Sequence, residues 1–182
     1  VNSPVLKVEK TTDKPFYKYG DIITYRIVLT QEQTGCVARN VTLQDVIDTQ
    51  GVRLLKDSVI LMDEKGNVAD ADVQINDDNT FLMSTGRILV RDSRYSICDN
   101  DKGGLFEQVM YNPLDCQEQK SMIVEYQAAV IDAALAGQKV HNTAVADSSE
   151  KIPATGETET EVHSPILEIV KESDKKEYAS GE

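Results

Sequence analysis

Val140–Ala146, V-H-N-T-A-V-A, is the stretch from which the fold can be read. Its residue types suit a β-strand, and alternation puts Val140, Asn142, Ala144 and Ala146 on one face. Asn142 is therefore in line with small aliphatic residues on the side that should be buried. An unpaired buried amide costs roughly 1–3 kcal/mol. Asn142 thus requires a polar partner, at the least a neighbouring strand or loop.

Outward from this stretch, the same two-residue period recurs. Val5–Lys10, V-L-K-V-E-K, puts Leu6, Val8 and Lys10 together on one face. A Pro-containing connection and the Gly20-Asp21 turn lead to Ile22–Leu29, with Ile23, Tyr25, Ile27 and Leu29 in phase. Val41–Ile47 places Val41, Leu43, Asp45 and Ile47 on its apolar face, so an acid again falls in line with the core. Met122–Val130 aligns Val124, Tyr126, Ala128 and Val130.

Further strands are expected over Leu54–Met62, Thr80–Met83 and Arg87–Val90, with a polar edge strand at Thr158–Val162. Gln31–Gly35 and the acidic run Asp70–Asn79 read as turns, and Asp132–Gly137 as a connection with room for one helical turn. From about 92 to 120 the pattern becomes irregular and reads as an insertion. Many short strands, frequent turns and no amphipathic helix predict an all-β sandwich.

The end of the chain repeats its beginning. Ser164–Glu182 matches Ser3–Asp21 at a constant offset of 161 residues, with eight of nineteen positions identical. Lys10 corresponds to Lys171 and Gly20 to Gly181, and Leu167, Ile169 and Lys171 reproduce the face of Leu6, Val8 and Lys10. The expectation is one complete repeat over 1–163, followed at 164–182 by the first strand of the next in a tandem array.

A net charge of −12, spread along the chain, argues against nucleic acid or an anionic membrane surface as partner. No run of about 18 apolar residues suggests a membrane span. Of three cysteines, Cys98 and Cys116 bracket a polar segment and suit a loop-closing disulfide worth about 3 kcal/mol, which leaves Cys36 over.

Taken in order, Lys10, G-D-x-x-x-Y at Gly20–Tyr25, V-T-L-Q-D-V at Val41–Val46 and V-H-N-T-A-V at Val140–Val145 resemble the repeats of Gram-positive surface proteins and pilins. The resemblance implies an immunoglobulin-like sandwich, stacked into an extracellular stalk or adhesin on the cell wall. It also implies an intramolecular isopeptide bond between Lys10 and Asn142, assisted by Asp45. The chemistry suits those residue types. Lysine attacks a carboxamide only as the neutral amine, and burial lowers its ordinary pKa of about 10.4. Burial raises that of Asp45, so a protonated carboxyl can polarise the amide and pass a proton to departing ammonia. Such a reaction runs once per molecule, so the chain is not expected to act as an enzyme on substrates. A hydrogen-bonded Lys–Asp–Asn cluster without the bond is the plainer alternative.

Other signals are weaker. Cys116-Gln117-Glu118-Gln119 lacks the glycine of a C-G-E-Q thioester motif. Asp99–Gly104 opens like a Ca²⁺ loop but lacks later oxygen ligands, so no cofactor is expected, with a Ca²⁺ site of another type left open. Ile152–Gly156, spelled like a sorting signal, reads as a turn, and Asn40-Val41-Thr42 is a glycosylation sequon by spelling alone. His141 and His163 are isolated and expected to face solvent. A second functional reading is a ligand-binding adhesin module that uses the 92–120 insertion to engage host protein or glycan. A hydrolase is disfavoured, because no nucleophile–base pair or paired acids stand out.

Overall fold

The computed structural model describes residues 3–34, 36–91, 119–164 and 169–172. The expected insertion, with Cys98, Cys116 and the Asp99–Gly104 run, lies outside the described residues except at its end. There Gln119 is already paired with Leu89, its carbonyl accepting from the Val90 N–H at 2.9 Å.

In chain order the strands are β1 (Leu6–Thr12), β2 (Phe16–Tyr17), β3 (Ile22–Gln31), β4 (Val37–Ala38), β5 (Thr42–Ile47), β6 (Val52–Leu54), β7 (Ile60–Asp63) and β8 (Val68–Ala69). They continue with β9 (Asp72–Ile75), β10 (Thr80–Ser84), β11 (Leu89–Val90), β12 (Ser121–Val130), β13 (Lys139–Asp147) and β14 (Ala154–Val162). One sheet runs β1-β3-β12-β7-β8, with β6 also on β12; the other runs β2-β14-β13-β5-β10-β9. The short β2–β14 contact is parallel; the other ladders in these two sheets are antiparallel. The result is the all-β sandwich expected from the alternation, with the immunoglobulin-like form that the resemblance implies.

The two sheets meet through the faces that parity selected. Ile23, Tyr25, Ile27 and Leu29 of β3 and Met122, Val124 and Tyr126 of β12 are buried from one side. Leu43 of β5, Phe81 and Met83 of β10 and Val140, Ala144 and Ala146 of β13 are buried from the other. β1 crosses β14 at close range. A Cβ on Gly156 would stand 2.7 Å from Val8 Cγ1 and 2.8 Å from the Val8 carbonyl oxygen. Glycine is what lets these strands touch. Ala154–Gly156 is therefore strand rather than the expected turn, and β14 starts well before Thr158.

Other expectations are corrected in detail. The single strand over Leu54–Met62 is broken by a 3-10 turn at Lys56–Ser58. The polar run there interrupts the alternation, and the Gln127 N–H donates to Ser58 Oγ at 2.8 Å, which docks the turn on β12. β6 and β7 consequently pair with successive parts of the same strand. The acidic segment before Asn79 contains β9, whose Val73 and Ile75 are half-buried. Gln31 belongs to β3 and is fully buried, because its amide donates to the Gln33 and Cys36 carbonyls and accepts from the Val5 and Gln33 N–H groups. The helical turn expected after Val130 is a 3-10 turn at Ala133–Leu135, capped by the Asp132 carboxylate.

Candidate functional site

Five polar side chains converge between the sheets. Lys10 stands on edge strand β1, where it pairs with Ile27 of β3. Tyr25 of β3 and Tyr126 of β12 are direct cross-strand partners, with rings stacked at 5.0 Å between centroids. The facing sheet supplies Asp45 from β5 and Asn142 from β13, adjacent strands in which Asp45 pairs with Ala144 and Asn142 with Ile47. The two polar residues are thus diagonal neighbours on one face, and Lys10 reaches both from the opposite sheet.

The Lys10 side chain has no exposed surface and that of Asp45 keeps 1%. Lys10 Nζ donates to Asp45 Oδ2 and, at 2.6 Å, to Asn142 Oδ1. The Tyr126 hydroxyl donates to Asp45 Oδ1 at 2.7 Å and accepts from Asn142 Nδ2. Lys10 Nζ also sits 5.3 Å and 5.6 Å from the Tyr25 and Tyr126 ring centroids, and Phe81 packs edge-on against Tyr126. The Tyr25 hydroxyl lies near enough to Asn142 to be influenced by it, but has no hydrogen bond of ordinary geometry among the described residues.

The electrostatics follow from dryness. Burial lowers the Lys10 pKa to about 8, against the opposing pull of the Asp45 charge. Burial likewise raises that of Asp45, opposed by the Lys10 charge and by hydrogen bonds from Lys10, Tyr126 and Asn142. Both shifts run toward the neutral pair, amine and carboxylic acid. A charged pair in this position is costly, since desolvation consumes much of the Coulomb attraction. The hydrogen bond to Oδ1 holds Nζ beside the carboxamide. The arrangement can therefore carry out amine-for-amine exchange at an amide, with an acid in contact.

Lys10, Asp45 and Asn142 are the three residues singled out in the sequence, and the structure brings them together. Tyr126 was visible only as a core-facing residue. The sign available in the sequence was its parity, since a buried tyrosine hydroxyl ordinarily requires a partner. Cys36 is buried and has no disulfide partner among the described residues. His141 and His163 are exposed, as expected, and Asn40 donates from its amide to Ser149 on the surface. Among the described residues no cluster of His, Cys, Asp or Glu is arranged to hold a metal. No helix of the described residues is long and apolar enough to cross a membrane.

No family model matches the sequence, and no curated protein matches it. Solved structures do. The N-terminal domain of the Streptococcus gordonii adhesin Sgo0707 superposes with a TM-score of 0.59 at 12% identity, over 86% of this chain and 32% of that one. The fold is that of Gram-positive adhesin and pilin domains. The major pilin SpaD of Corynebacterium diphtheriae matches at TM-score 0.54 and 13% identity, over 86% of this chain and 34% of that one. BcpA, the major pilin subunit of Bacillus cereus, matches at 0.51 and 10%, over 88% and 40%. In each case the chain spans less than half of the neighbour's own length.

Proposed function

We propose that this chain is a structural repeat of a Gram-positive cell-surface stalk or pilus-like adhesin, locked by an intramolecular isopeptide bond between Lys10 and Asn142. The observation that carries the reading is the contact of Lys10 Nζ with both Asp45 and the Asn142 carboxamide inside a dry core. Nothing about packing alone demands a lysine there, because an apolar side chain of similar volume would usually cost less. The reaction expels ammonia, and Asp45 serves as acid and proton carrier. Fixed proximity supplies the acceleration, since positioned groups reach effective molarities of roughly 10⁵–10⁸ M.

Residues 1–163 form the repeat, and 164–182 begin the next, with Lys171 in the role of Lys10. Ile169 and Val170 are 89% and 71% exposed, apolar surface of the kind that a following sandwich would cover. The neighbours of this repeat are then further repeats of the same chain, outside the cell. The match of fold to adhesin and pilin domains supports that setting.

Intact mass under reducing conditions tests the reading. The parent chain should fall about 17 Da below its calculated mass, the loss of one ammonia, and Lys10→Ala should show its full mass. A parent of full mass would overturn the cross-link and leave a hydrogen-bonded cluster.

A further inference from the structure

The Tyr126 hydroxyl sits between the two groups that must exchange a proton. It accepts a hydrogen bond from Asn142 Nδ2, the nitrogen that would depart, and donates one to Asp45 Oδ1. Lys10 occupies the other oxygen of the same carboxylate, Oδ2. Asp45 is thus committed on both sides, to the nucleophile through Oδ2 and to the leaving nitrogen through the phenol on Oδ1. The close hydrogen bonds of Asn142 Nδ2 and of Asp45 Oδ1 in this cluster both run to the Tyr126 hydroxyl, while Asn142 bears on the carboxylate itself as a lesser hydrogen-bond donor.

We propose that Tyr126 is a catalytic proton relay, its hydroxyl carrying the proton from Asp45 to the departing nitrogen of Asn142. The inference rests on the cross-linking reading of Lys10 and Asn142.

The step balances with no outside reagent. Lys10 first gives a proton from its ammonium to Asp45 Oδ2, which leaves an amine and a carboxylic acid. The amine lone pair attacks Asn142 Cγ, the C=O electrons move to Oδ1, and a tetrahedral centre forms. At the tetrahedral centre Nδ2 gains a lone pair and can accept. The carboxyl therefore turns its proton toward the phenol, and the two hydrogen bonds of the phenol reverse. Asp45 then hands a proton to the Tyr126 oxygen as the phenol gives its own to Nδ2. The Cγ–Nδ2 bond then breaks with its electron pair on nitrogen, releasing ammonia as the carbonyl re-forms. The new amide nitrogen loses its surplus proton to Asp45, which ends neutral in the apolar core. The phenol regains what it gave, as a relay must.

The same contacts give Tyr126 a second task. By accepting from Nδ2 it fixes which way the carboxamide faces, with Oδ1 toward Lys10. A flipped amide would present its N–H groups to the ammonium. The ring stacked on Tyr25 and edged by Phe81 holds the phenol in place for both tasks.

The experiment follows bond formation in freshly synthesised chain. Cell-free synthesis is stopped in acid at intervals, and the fraction lighter by one ammonia is read by mass spectrometry across a pH series. Tyr126→Phe, which removes only the hydroxyl, should form the bond roughly 10²-fold more slowly or worse, since a positioned acid–base group typically contributes about 10²–10⁴-fold. Its rate should also fall as pH rises where the parent's is level, because the leaving nitrogen must then draw its proton from solvent. Replacing Tyr126 by 3-fluorotyrosine keeps shape and hydrogen bonds while acidifying the phenol, so its rate should shift without loss of fold.

Melting of Lys10→Ala with and without Tyr126→Phe, neither able to cross-link, separates slow chemistry from poor folding. A parent that cross-links beside a Tyr126→Phe chain of equal rate and parallel pH profile would overturn the relay alone. An unchanged rate with 3-fluorotyrosine would do the same. A parent that never loses ammonia would overturn the cross-link itself.

Discussion

Lys10 Nζ and Asn142 Oδ1 are separated by 132 positions in sequence and by 2.6 Å in space. One residue lies on the first strand of one sheet, the other on the penultimate strand of the opposite sheet. A covalent bond here would close most of the repeat into a single loop. By loop-entropy arithmetic such a closure stabilises by about 4–5 kcal/mol. The parent should therefore melt well above Lys10→Ala and Asn142→Ala. Equal melting temperatures for all three would speak against a closed loop.

Asp45→Ala should abolish the mass loss and cost more stability than the missing bond explains. It leaves Lys10 and the Tyr126 hydroxyl without their shared acceptor in a site closed to water. Removing one partner of a buried pair typically costs about 3–5 kcal/mol. Urea unfolding of Asp45→Ala beside Lys10→Ala, both of full mass, gives the difference directly. Asp45→Ala should be the weaker of the two, because Lys10→Ala leaves an acid that can stay protonated.

The pH dependence of an uncross-linked variant has a defined sign. In Asn142→Ala, Lys10 and Asp45 remain. Burial holds Lys10 at a pKa of about 8, below its ordinary value of 10.5. Between those values the unfolded chain carries a proton that the folded chain lacks, so stability rises with pH across about 8 to 10.5. A gain on the order of 1–3 kcal/mol is expected, absent when Lys10→Met is added. Asp45 acts oppositely at the acid end: its raised pKa means that stability present below about pH 4 is lost as pH rises through the folded value. Urea midpoints that stay flat from pH 8 to 10.5 would contradict the neutral amine.

Gly156→Ala tests the close crossing of β1 and β14. The added methyl meets Val8 side chain and backbone under 3 Å, and backbone cannot yield as a flexible side chain can. A loss of about 1–3 kcal/mol is expected from overpacking. Because Val8 lies two residues from Lys10 on the same face, the displacement should also leave part of the chain at full mass. Complete cross-linking and an unchanged melting temperature would show that β1 shifts freely.

Much of this was legible in the sequence because a sandwich strand has one unambiguous period. Parity alone put Leu6, Val8 and Lys10, Val41, Leu43 and Asp45, and Val140, Asn142 and Ala144 on buried faces, and the polar member of each set is a site residue. Parity gives a face, however, and not what stands opposite it. Tyr126 was in phase with the core, yet its bridge from Asp45 to Asn142 depends on the rotation of one sheet over the other. Gln31 was misread for a related reason: an amide that can make four hydrogen bonds reads as polar in sequence and is satisfied in the core. The break at Lys56–Ser58 escaped because the apolar residues on either side suggested one continuous strand.

The last expectation is mechanical. In a tandem stalk of the kind proposed, load would enter near β1 and leave beyond β13. In the parent, force would pass from Lys10 to Asn142 through the covalent bond and bypass the 132-position span between them. That span, fully extended at about 3.4 Å per residue, amounts to roughly 450 Å of hidden length. Single-molecule pulling on a chain flanked by marker domains should show this extension in Lys10→Ala and none of it in the parent. The segment after Asn142, held by the β13–β14 ladder, should unfold in both. A parent that releases the full 450 Å would mean that the sheets are held by packing and hydrogen bonds alone.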